Sequence, residues 1–381
     1  MQVGIIKERR PGECRVAITP DTVKKFLDLG LSVLIESKAG ITAAITDKAY
    51  EDAGAKIVKT SVEALSQADI VLKVQKPIVP EGKSELNEVA LMKDGAVLIC
   101  LMEPYASHKL LETLASKRIT AFSMELLPRI TRAQTMDSLS SQSNLAGYKA
   151  VLEAANTFGR AFPMMMTAAG TVPPAKCLVM GAGVAGLQAI ATARRLGAVV
   201  SASDVRPAAK ENVESLGASF VAVQDEEFKQ AETAGGYAKE MSDAYKAKQS
   251  ELIASTVAKQ DIVICTALIP GRPAPVLVTE DMIKTMKPGS VLVDLAVEQG
   301  GNCPLSVADK TIVKNGVSIV GQTNMASKLS IDASILFAKN LLNFITPMVH
   351  QDQKQLIIDI DDEIIKGSLL TQNGEVLQTF M

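Results

Sequence analysis

The chain has 381 residues, a formal net charge of −2 at pH 7 and a pI of about 5.9. This length exceeds one single-core domain, and the near-neutral charge argues against nucleic acid or an anionic membrane surface as a partner. Five widely spaced cysteines without a CxxC pair argue against a disulfide framework or a zinc site, and they indicate a reducing compartment. Two histidines are too few for a multi-histidine metal site, so no metal is expected.

The N-terminus does not have the pattern of a signal peptide. An apolar strand pattern at residues 2–6 is followed by Lys-Glu-Arg-Arg, which reverses the order of charge and apolar residues in a signal peptide. No apolar stretch reaches the roughly 20 residues that a membrane helix needs. The sequence therefore predicts a cytoplasmic protein that does not itself cross a membrane.

Strand and helix patterns alternate along almost the whole chain, which predicts an α/β fold with parallel sheets. In the N-terminal third, strands are expected at residues 2–6, 32–36, 70–74, 96–100 and 119–122. Further along, they are expected at residues 176–180, 199–203, 219–223, 261–265, 290–294 and 318–320. Helical patterns lie between them, for example at residues 22–29, where Gly30 ends the pattern.

These two regions also resemble each other in sequence. Gln-Ala-Asp-Ile-Val at 67–71 is similar to Gln-Asp-Ile-Val at 260–263, and a second pair of strand-entry turns repeats at nearly the same offset. This similarity predicts two Rossmann-like domains of related topology, joined by two long helices at 143–158 and 334–344. The domains would comprise residues 1–140 with 328–381, and residues 141–327, with a ligand-binding cleft between them.

The most informative motif is Gly-Ala-Gly-Val-Ala-Gly at residues 181–186, between a predicted strand and a helical pattern at 187–196. Gly181 permits a tight turn, Gly183 lets a pyrophosphate approach the backbone, and Gly186 lets the helix pack on the strand. The helix N-terminus would offer free N–H groups and a partial positive charge to the phosphates. The motif in this context predicts a dinucleotide site.

Asp204 ends the second predicted strand after this turn. An acid at that position accepts hydrogen bonds from the adenosine ribose hydroxyls, which selects NAD over NADP. Arg206, two residues further on, could instead meet a 2′-phosphate or be a surface charge. The first domain has no comparable glycine turn, so one dinucleotide site is predicted in this chain.

A second candidate site is the polar segment 128–142, which lies where the first predicted domain ends. It contains Arg129, Arg132, Gln134 and Asp137 among several serines, and loops of this kind on a rigid scaffold often carry function. Helix capping by Ser140 or Ser141 is the alternative interpretation. Capping would explain one serine, but it would not explain two arginines, a glutamine and an aspartate together.

Along its whole length the chain resembles the NAD(H)-binding soluble component, domain I, of proton-translocating nicotinamide nucleotide transhydrogenase. The resemblance is carried by Arg129, Gln134 and Asp137, by residues 141–147, by the glycine turn and by Gly-Gly-Tyr-Ala-Lys-Glu at 235–240. It implies that Arg129, Gln134, Asp137 and Ser140 hold the nicotinamide end and form the catalytic set. It further implies cofactor contacts from Thr135, Met136, Gly181, Gly183, Val184, Gly186, Asp204, Val205, Arg206, Gly236, Tyr237, Gln249 and Leu268.

The same resemblance implies an activity and partners. Hydride would pass between NAD(H) on this chain and NADP(H) on a separate partner component, and a membrane component would couple the transfer to proton translocation. The chain would form a homodimer and associate peripherally with the inner membrane through its partner subunits.

Residues 224–249 interrupt the second predicted domain, whereas ordinary connections have about 4–6 residues. The family resemblance implies a mobile loop here whose tyrosine, Tyr237, folds over bound nucleotide. A solvated helical hairpin is the alternative, because residues 228–231 and 242–248 have helical patterns.

Alanine dehydrogenases share this fold and are the main alternative, since Arg15, Lys73 and the segment 293–297 resemble theirs. Oxidation of an amine needs a general acid or base, whereas hydride exchange between two nicotinamides needs contact and the exclusion of water. Their catalytic histidine is missing, because Leu-Met-Glu occupies residues 101–103, and Glu298 replaces an expected aspartate. A non-catalytic NAD-binding protein remains a third possibility.

Overall fold

A computed structural model describes residues 1–80, 86–229, 241–350 and 355–380. The chain divides into two compact units, each considered separately below. Unit 1 comprises Met1–Gln142 and Ser327–Met381, and unit 2 comprises Ser143–Ala326.

Strands and helices alternate through the N-terminal region of unit 1. The strands are β1 Gln2–Ile5, β2 Ser32–Glu36, β3 Lys56–Val58, β4 Ile70–Gln75, β5 Val97–Leu101 and β6 Thr120–Ser123. The α-helices are α1 Pro20–Asp28, α2 Asp47–Asp52, α3 Ser61–Leu65, α4 Glu88–Leu91, α5 His108–Ser116 and α6 Ser138–Thr157. A 3₁₀ helix, Thr131–Met136, precedes α6.

Unit 2 begins within α6. Its strands are β7 Met165–Thr167, β8 Gly170–Val172, β9 Lys176–Met180, β10 Val199–Ser203, β11 Ser219–Phe220, β12 Ile262–Cys265, β13 Val291–Asp294, β14 Thr311–Lys314 and β15 Val317–Val320. Its further helices are α7 Val184–Arg195, α8 Ala209–Ser215, α9 Glu226–Lys229, α10 Asp243–Val257 and α11 Glu280–Thr285.

The C-terminal region of the chain completes unit 1 with α12, the 16-residue helix Ser330–Ile345. The remaining elements are β16 Val349–His350, β17 Gln355–Leu356, α13 Glu363–Ser368, β18 Leu369–Gln372 and β19 Glu375–Val376.

The main sheets of the two units have related topologies. The order is β19-β18-β6-β5-β4-β1-β2-β3 in unit 1 and β11-β10-β9-β12-β13-β15-β14 in unit 2. Strands β1–β6 are parallel to one another, as are β9–β13 with β15, and both sets follow the 3-2-1-4-5-6 order of a dinucleotide-binding fold. The prediction of two Rossmann-like folds of related topology is confirmed.

Each sheet also has antiparallel strands at one edge, β18 and β19 in unit 1 and β14 in unit 2, which the sequence did not predict. The predicted strands at residues 32–36, 176–180 and 199–203 have the expected bounds. Central strands such as β12 and β13 are buried along their whole length, because helices cover both faces of a parallel sheet.

The chain reverses its direction across each sheet at one point, between β1 and β4 in unit 1 and between β9 and β12 in unit 2. In open α/β sheets, ligands bind beyond the carboxyl ends of the strands at this switch point. Within the described ranges, no helix combines the length and the apolar character needed to cross a membrane.

Candidate functional site

The glycine turn follows β9 at the switch point of unit 2. Gly181 has a φ of +102°, in the region that favours glycine, and a Cβ there would lie 2.6 Å from Thr266 Oγ1. A Cβ on Gly186 would lie 1.8 Å from the carbonyl oxygen of Gly181, so α7 packs directly on the turn. These two positions require glycine for reasons internal to the fold.

Gly183 is different, because a Cβ there would meet nothing within 4 Å and its φ of −78° suits any residue. Gly183 is also the N-cap of α7, and no side chain of the described residues caps this helix end. The N–H groups of the first turn are therefore directed at an open, electropositive surface, which suits an anion such as a pyrophosphate. The cradle fits the dinucleotide that the sequence predicted.

Two polar residues that the sequence analysis missed hold the neighbouring segment after β12. Thr266 Oγ1 donates a hydrogen bond to the carbonyl oxygen of Gly181 at 3.0 Å. The buried side chain of Asn302 accepts from Ala267 N at 3.1 Å and donates to Ala267 O at 2.9 Å. This fixes the segment that presents Leu268, whose side chain is exposed. A threonine directly after an apolar strand was the available signal.

Asp204 follows β10 and bonds to the glycine turn. Its Oδ2 accepts from Ala182 N at 2.7 Å and from Arg206 Nη2 at 3.0 Å, and its Oδ1 accepts from Arg206 N and Nε at 2.9 Å each. Burial alone would raise the pKa of Asp204, but the hydrogen bonds from Arg206 and Ala182 outweigh it and hold that pKa below its usual value. The carboxylate is therefore ionised at neutral pH.

The other predicted residues of unit 2 surround this edge of the sheet. The side chain of Gln249, on α10, accepts from Val223 N at 2.8 Å and lies 3.5 Å from Ser203 Oγ at the end of β10. Val184 and Val205 are exposed beside the turn and beside Asp204, respectively.

The predicted loop at 224–249 includes α9 and the start of α10, so helical structure is present at both of its ends. Gly236 and Tyr237 lie outside the described residues.

In unit 1, the polar segment forms the 3₁₀ helix Thr131–Met136. Ala133 and Met136 are buried in the core, and because residues three apart share a face of such a helix, Gln134 and Thr131 lie on another face and are exposed. Gln134 therefore has no packing role that would explain it.

The helix α12 anchors this segment through asparagines that the sequence analysis missed. Asn340 Nδ2 and Asn343 Nδ2 each donate to the carbonyl oxygen of Thr135 at 2.9 Å. Asn340 Oδ1 accepts from the hydroxyl of Ser141 at 2.8 Å. The 3₁₀ helix is thus tied to a rigid helix on one side, while Gln134 faces solvent on the other.

The alternative interpretation, in which Ser140 or Ser141 caps the next helix, is wrong. α6 begins at Ser138, and the carboxylate of Asp137 accepts from Ser140 N at 2.9 Å and from the Ser140 hydroxyl. Aspartate is among the best N-cap residues because its carboxylate satisfies free N–H groups and suits the positive end of the helix. Asp137 and Ser140 therefore form one hydrogen-bonded pair at the start of α6.

The two arginines of the segment differ in their surroundings. Arg132 makes a bidentate ion pair with Asp362, with distances of 2.6 and 2.7 Å. Arg129 is exposed and makes no ion pair with any residue that the structure describes. Arg129 is thus the arginine that is available to a ligand.

The features shared with alanine dehydrogenases are engaged inside the protein. Arg15 is buried and donates to both carboxylate oxygens of Glu13, at 2.6 and 2.8 Å, and to Gln142 Oε1 at 2.8 Å. Burial opposes ionisation of Glu13, but the bonds from Arg15 and Gln75 prevail and lower its pKa to about 2. The guanidinium is therefore neutralised within unit 1.

Lys73 on β4 is also buried, and its Nζ lies 3.0 Å from Glu8 and 3.2 Å from Glu88. Burial alone would lower the pKa of Lys73, but these carboxylates outweigh it and hold that pKa above its usual value. Neither cation is available to bind a carboxylate substrate without breaking a buried ion pair. The segment 101–103 supplies no imidazole, and His108 is exposed at the start of α5.

Comparison with known proteins agrees with this picture. The N-terminal domain model of alanine dehydrogenase/PNT matches residues 4–146, and the C-terminal domain model matches residues 150–379. A segment of the NAD(P) transhydrogenase alpha subunit from Rhodospirillum rubrum, which is a separate chain there, is 59% identical over 377 residues, covering 99% of this chain and 98% of that protein.

Solved structures give the same order of similarity. The transhydrogenase from Sinorhizobium meliloti superposes with a TM-score of 0.89 at 51% identity, covering 99% of this chain and 100% of that one. An L-alanine dehydrogenase superposes with a TM-score of 0.80 at 28% identity, covering 99% and 97%. The predicted resemblance is confirmed: the chain belongs to the alanine dehydrogenase/PNT family, and within that family it is more similar to these transhydrogenases than to this alanine dehydrogenase.

Proposed function

We propose that this chain is the NAD(H)-binding component of a proton-translocating transhydrogenase. The observation that carries the proposal is the glycine turn of unit 2, where Gly181 and Gly186 close a tight strand–helix junction and Gly183 leaves its backbone open. The engagement of Arg15 and Lys73 by internal carboxylates supports hydride exchange over oxidation of an amino acid.

In this proposal, unit 2 holds the adenosine and pyrophosphate moieties of the dinucleotide. The free N–H groups at the start of α7 would bind phosphate oxygens, and Asp204 would accept from the ribose hydroxyls. Gln249, Val205 and Leu268 would line the adenosine side. Bound NAD(H) would supply the nicotinamide carbon that accepts or donates the hydride.

Unit 1 would hold the nicotinamide end through Arg129, Gln134, Asp137 and Ser140. An exposed amide such as that of Gln134 can donate to and accept from a carboxamide without titrating, and the transfer between two nicotinamide rings needs no proton at the reacting carbons. Positioning is therefore the main contribution expected of these residues. Anchoring by Asn340 and Asn343 makes that positioning rigid.

The segment 224–249 would act as a mobile loop that closes over bound nucleotide through Tyr237. Closure would slow nucleotide release and exclude water during transfer. A Tyr237→Phe variant keeps the ring and loses the hydroxyl, so it should weaken NADH binding by about 0.5–1.5 kcal/mol. Equal protease sensitivity of the loop with and without NADH would contradict this role.

The partners follow from the same proposal. The chain would dock an NADP(H)-binding component and, through it, a proton-conducting membrane component, which would place it at the cytoplasmic face of the inner membrane. It would form a homodimer, and the exposed hairpin of β7 and β8 offers an apolar surface for this, since Met164, Met165 and Met166 are 60%, 44% and 80% exposed.

The test is reconstitution of hydride exchange. The purified chain, mixed with an NADP(H)-binding component from a related transhydrogenase, should reduce an oxidised NAD analogue at the expense of NADPH, and either component alone should not. The same preparation should not oxidise alanine with NAD. Oxidation of alanine would establish the dehydrogenase alternative, and NADH binding without exchange would indicate a non-catalytic nucleotide-binding protein.

A further inference from the structure

The carboxylate of Asp204 has no spare acceptor position in this structure. A carboxylate offers about four lone-pair sites, and Asp204 fills four with hydrogen bonds of 2.7–3.0 Å. Two of the donors are backbone N–H groups, of Ala182 and Arg206, which the turn geometry holds in place. The other two, Nε and Nη2, belong to the Arg206 guanidinium.

A ribose that binds to Asp204 through its 2′- and 3′-hydroxyls needs two acceptor positions on the same carboxylate. The backbone donors cannot leave without unfolding the turn, so the hydroxyls must take the positions of the guanidinium. The Arg206 side chain is 35% exposed, whereas that of Asp204 is 7% exposed. Arg206 can therefore turn into solvent and recover hydration, and Asp204 stays paired with hydroxyl donors instead.

We propose, on the basis of the proposed function, that Arg206 is an internal competitor for the ribose position on Asp204. Its two side-chain hydrogen bonds imitate those of a ribose diol, so each molecule of NAD(H) binds by displacing them. The ion pair thereby lowers the affinity for NAD(H) and favours its release after transfer. Arg206 is thus a specificity-determining residue whose removal strengthens binding.

This role gives the opposite sign from a simple ligand contact. If Arg206 held the nucleotide directly, its removal would weaken binding. If it competes for Asp204, an Arg206→Gln variant should bind NADH about two- to fivefold more tightly, which is the range of a partly exposed ion pair. A Lys210→Gln variant is the matched control, because it removes an exposed positive charge from the same unit without touching Asp204.

A pair of ligands isolates the hydroxyls. ADP carries the ribose diol and 2′,3′-dideoxyadenosine diphosphate lacks it, while both carry the same base and phosphates. Calorimetry should show that Arg206→Gln strengthens the binding of NADH and ADP but leaves that of the dideoxy compound unchanged. Arg206→Lys, whose single ammonium cannot replace both guanidinium donors, should fall between wild type and Arg206→Gln.

Each outcome decides the matter. Tighter NADH and ADP binding, with Lys210→Gln and the dideoxy ligand unaffected, would support the competition. Unchanged or weaker NADH binding by Arg206→Gln and Arg206→Lys, in a wild-type chain that binds NADH, would overturn this inference alone. A wild-type chain that binds neither NADH nor ADP would overturn the proposed function and this inference with it.

Discussion

Alanine substitutions at two glycines of the turn separate the needs of the fold from those of the ligand. A methyl group on Gly186 would lie 1.8 Å from the backbone oxygen of Gly181, whereas a methyl group on Gly183 would meet nothing within 4 Å. Gly186→Ala should therefore destabilise the protein, and Gly183→Ala should leave its stability nearly unchanged while it weakens NADH binding.

The magnitudes follow from these contacts. Backbone cannot yield as a flexible side chain does, so Gly186→Ala should lower the free energy of unfolding by about 1–3 kcal/mol, as overpacking does. Gly183 has φ −78° and ψ −168°, an extended conformation that alanine adopts without strain. Its methyl group would instead keep a pyrophosphate off the first turn of α7, and losing one charge-assisted hydrogen bond costs about 1.5–3 kcal/mol.

Urea denaturation and calorimetry with NADH measure the two effects on the same preparations. For Gly183→Ala, we expect a dissociation constant for NADH that is about ten- to a hundredfold higher than wild type, with a similar denaturation midpoint. Wild-type NADH affinity in Gly183→Ala would refute the placement of the pyrophosphate on this turn. An unaltered denaturation midpoint in Gly186→Ala would refute the close packing of α7 on β9.

Three further predictions concern unit 1. Replacing Gln134 by Asn should slow single-turnover hydride transfer by about tenfold or more and change NADH affinity far less, because a shorter side chain loses positioning; an unchanged rate would remove Gln134 from the site. Because the pKa of Glu13 is depressed from 4.5 to about 2, its stabilisation is complete above the unfolded value and is lost as pH falls towards 2, by up to about 3 kcal/mol. Urea denaturation from pH 6 to pH 3 should show this slope, and Glu13→Gln should flatten it. Lys73→Met should lower the free energy of unfolding by about 3–5 kcal/mol by leaving Glu8 and Glu88 without a cation, and adding Glu8→Gln and Glu88→Gln should restore most of it.

The elements that sequence predicted well are those whose burial imposes a pattern. Central strands such as β12 and β13 are continuous apolar runs because both faces of the sheet are covered. Edge strands lack this signal: β14 is largely exposed, with Val313 at 65%. The start of α6 was placed too late because the polar residues before it resemble a loop, although Asp137 is a good N-cap.

The site was predictable where spacing carries the chemistry, as in the glycine turn and Asp204. Its supports were not, because they come from distant regions of the chain. Asn340 bonds to Thr135, 205 residues earlier, and Asn302 bonds to Ala267, 35 residues earlier. The pairing of Arg206 with Asp204 depends on a side-chain rotamer, and a sequence does not specify whether such an arginine meets its neighbour or a phosphate.

The related topologies of the units have different consequences at their switch points. In unit 1, the region beyond β1 and on β4 is filled by the buried ion pairs of Lys73 with Glu8 and Glu88. An anion entering there would have to replace a carboxylate and leave it buried without its cation, which costs several kcal/mol. In unit 2, the corresponding region presents backbone N–H groups, and the ion pair beside it includes the partly exposed Arg206. A phosphate can enter unit 2 without disrupting the core, so unit 1 is left to act through the exposed side chains of its 3₁₀ helix.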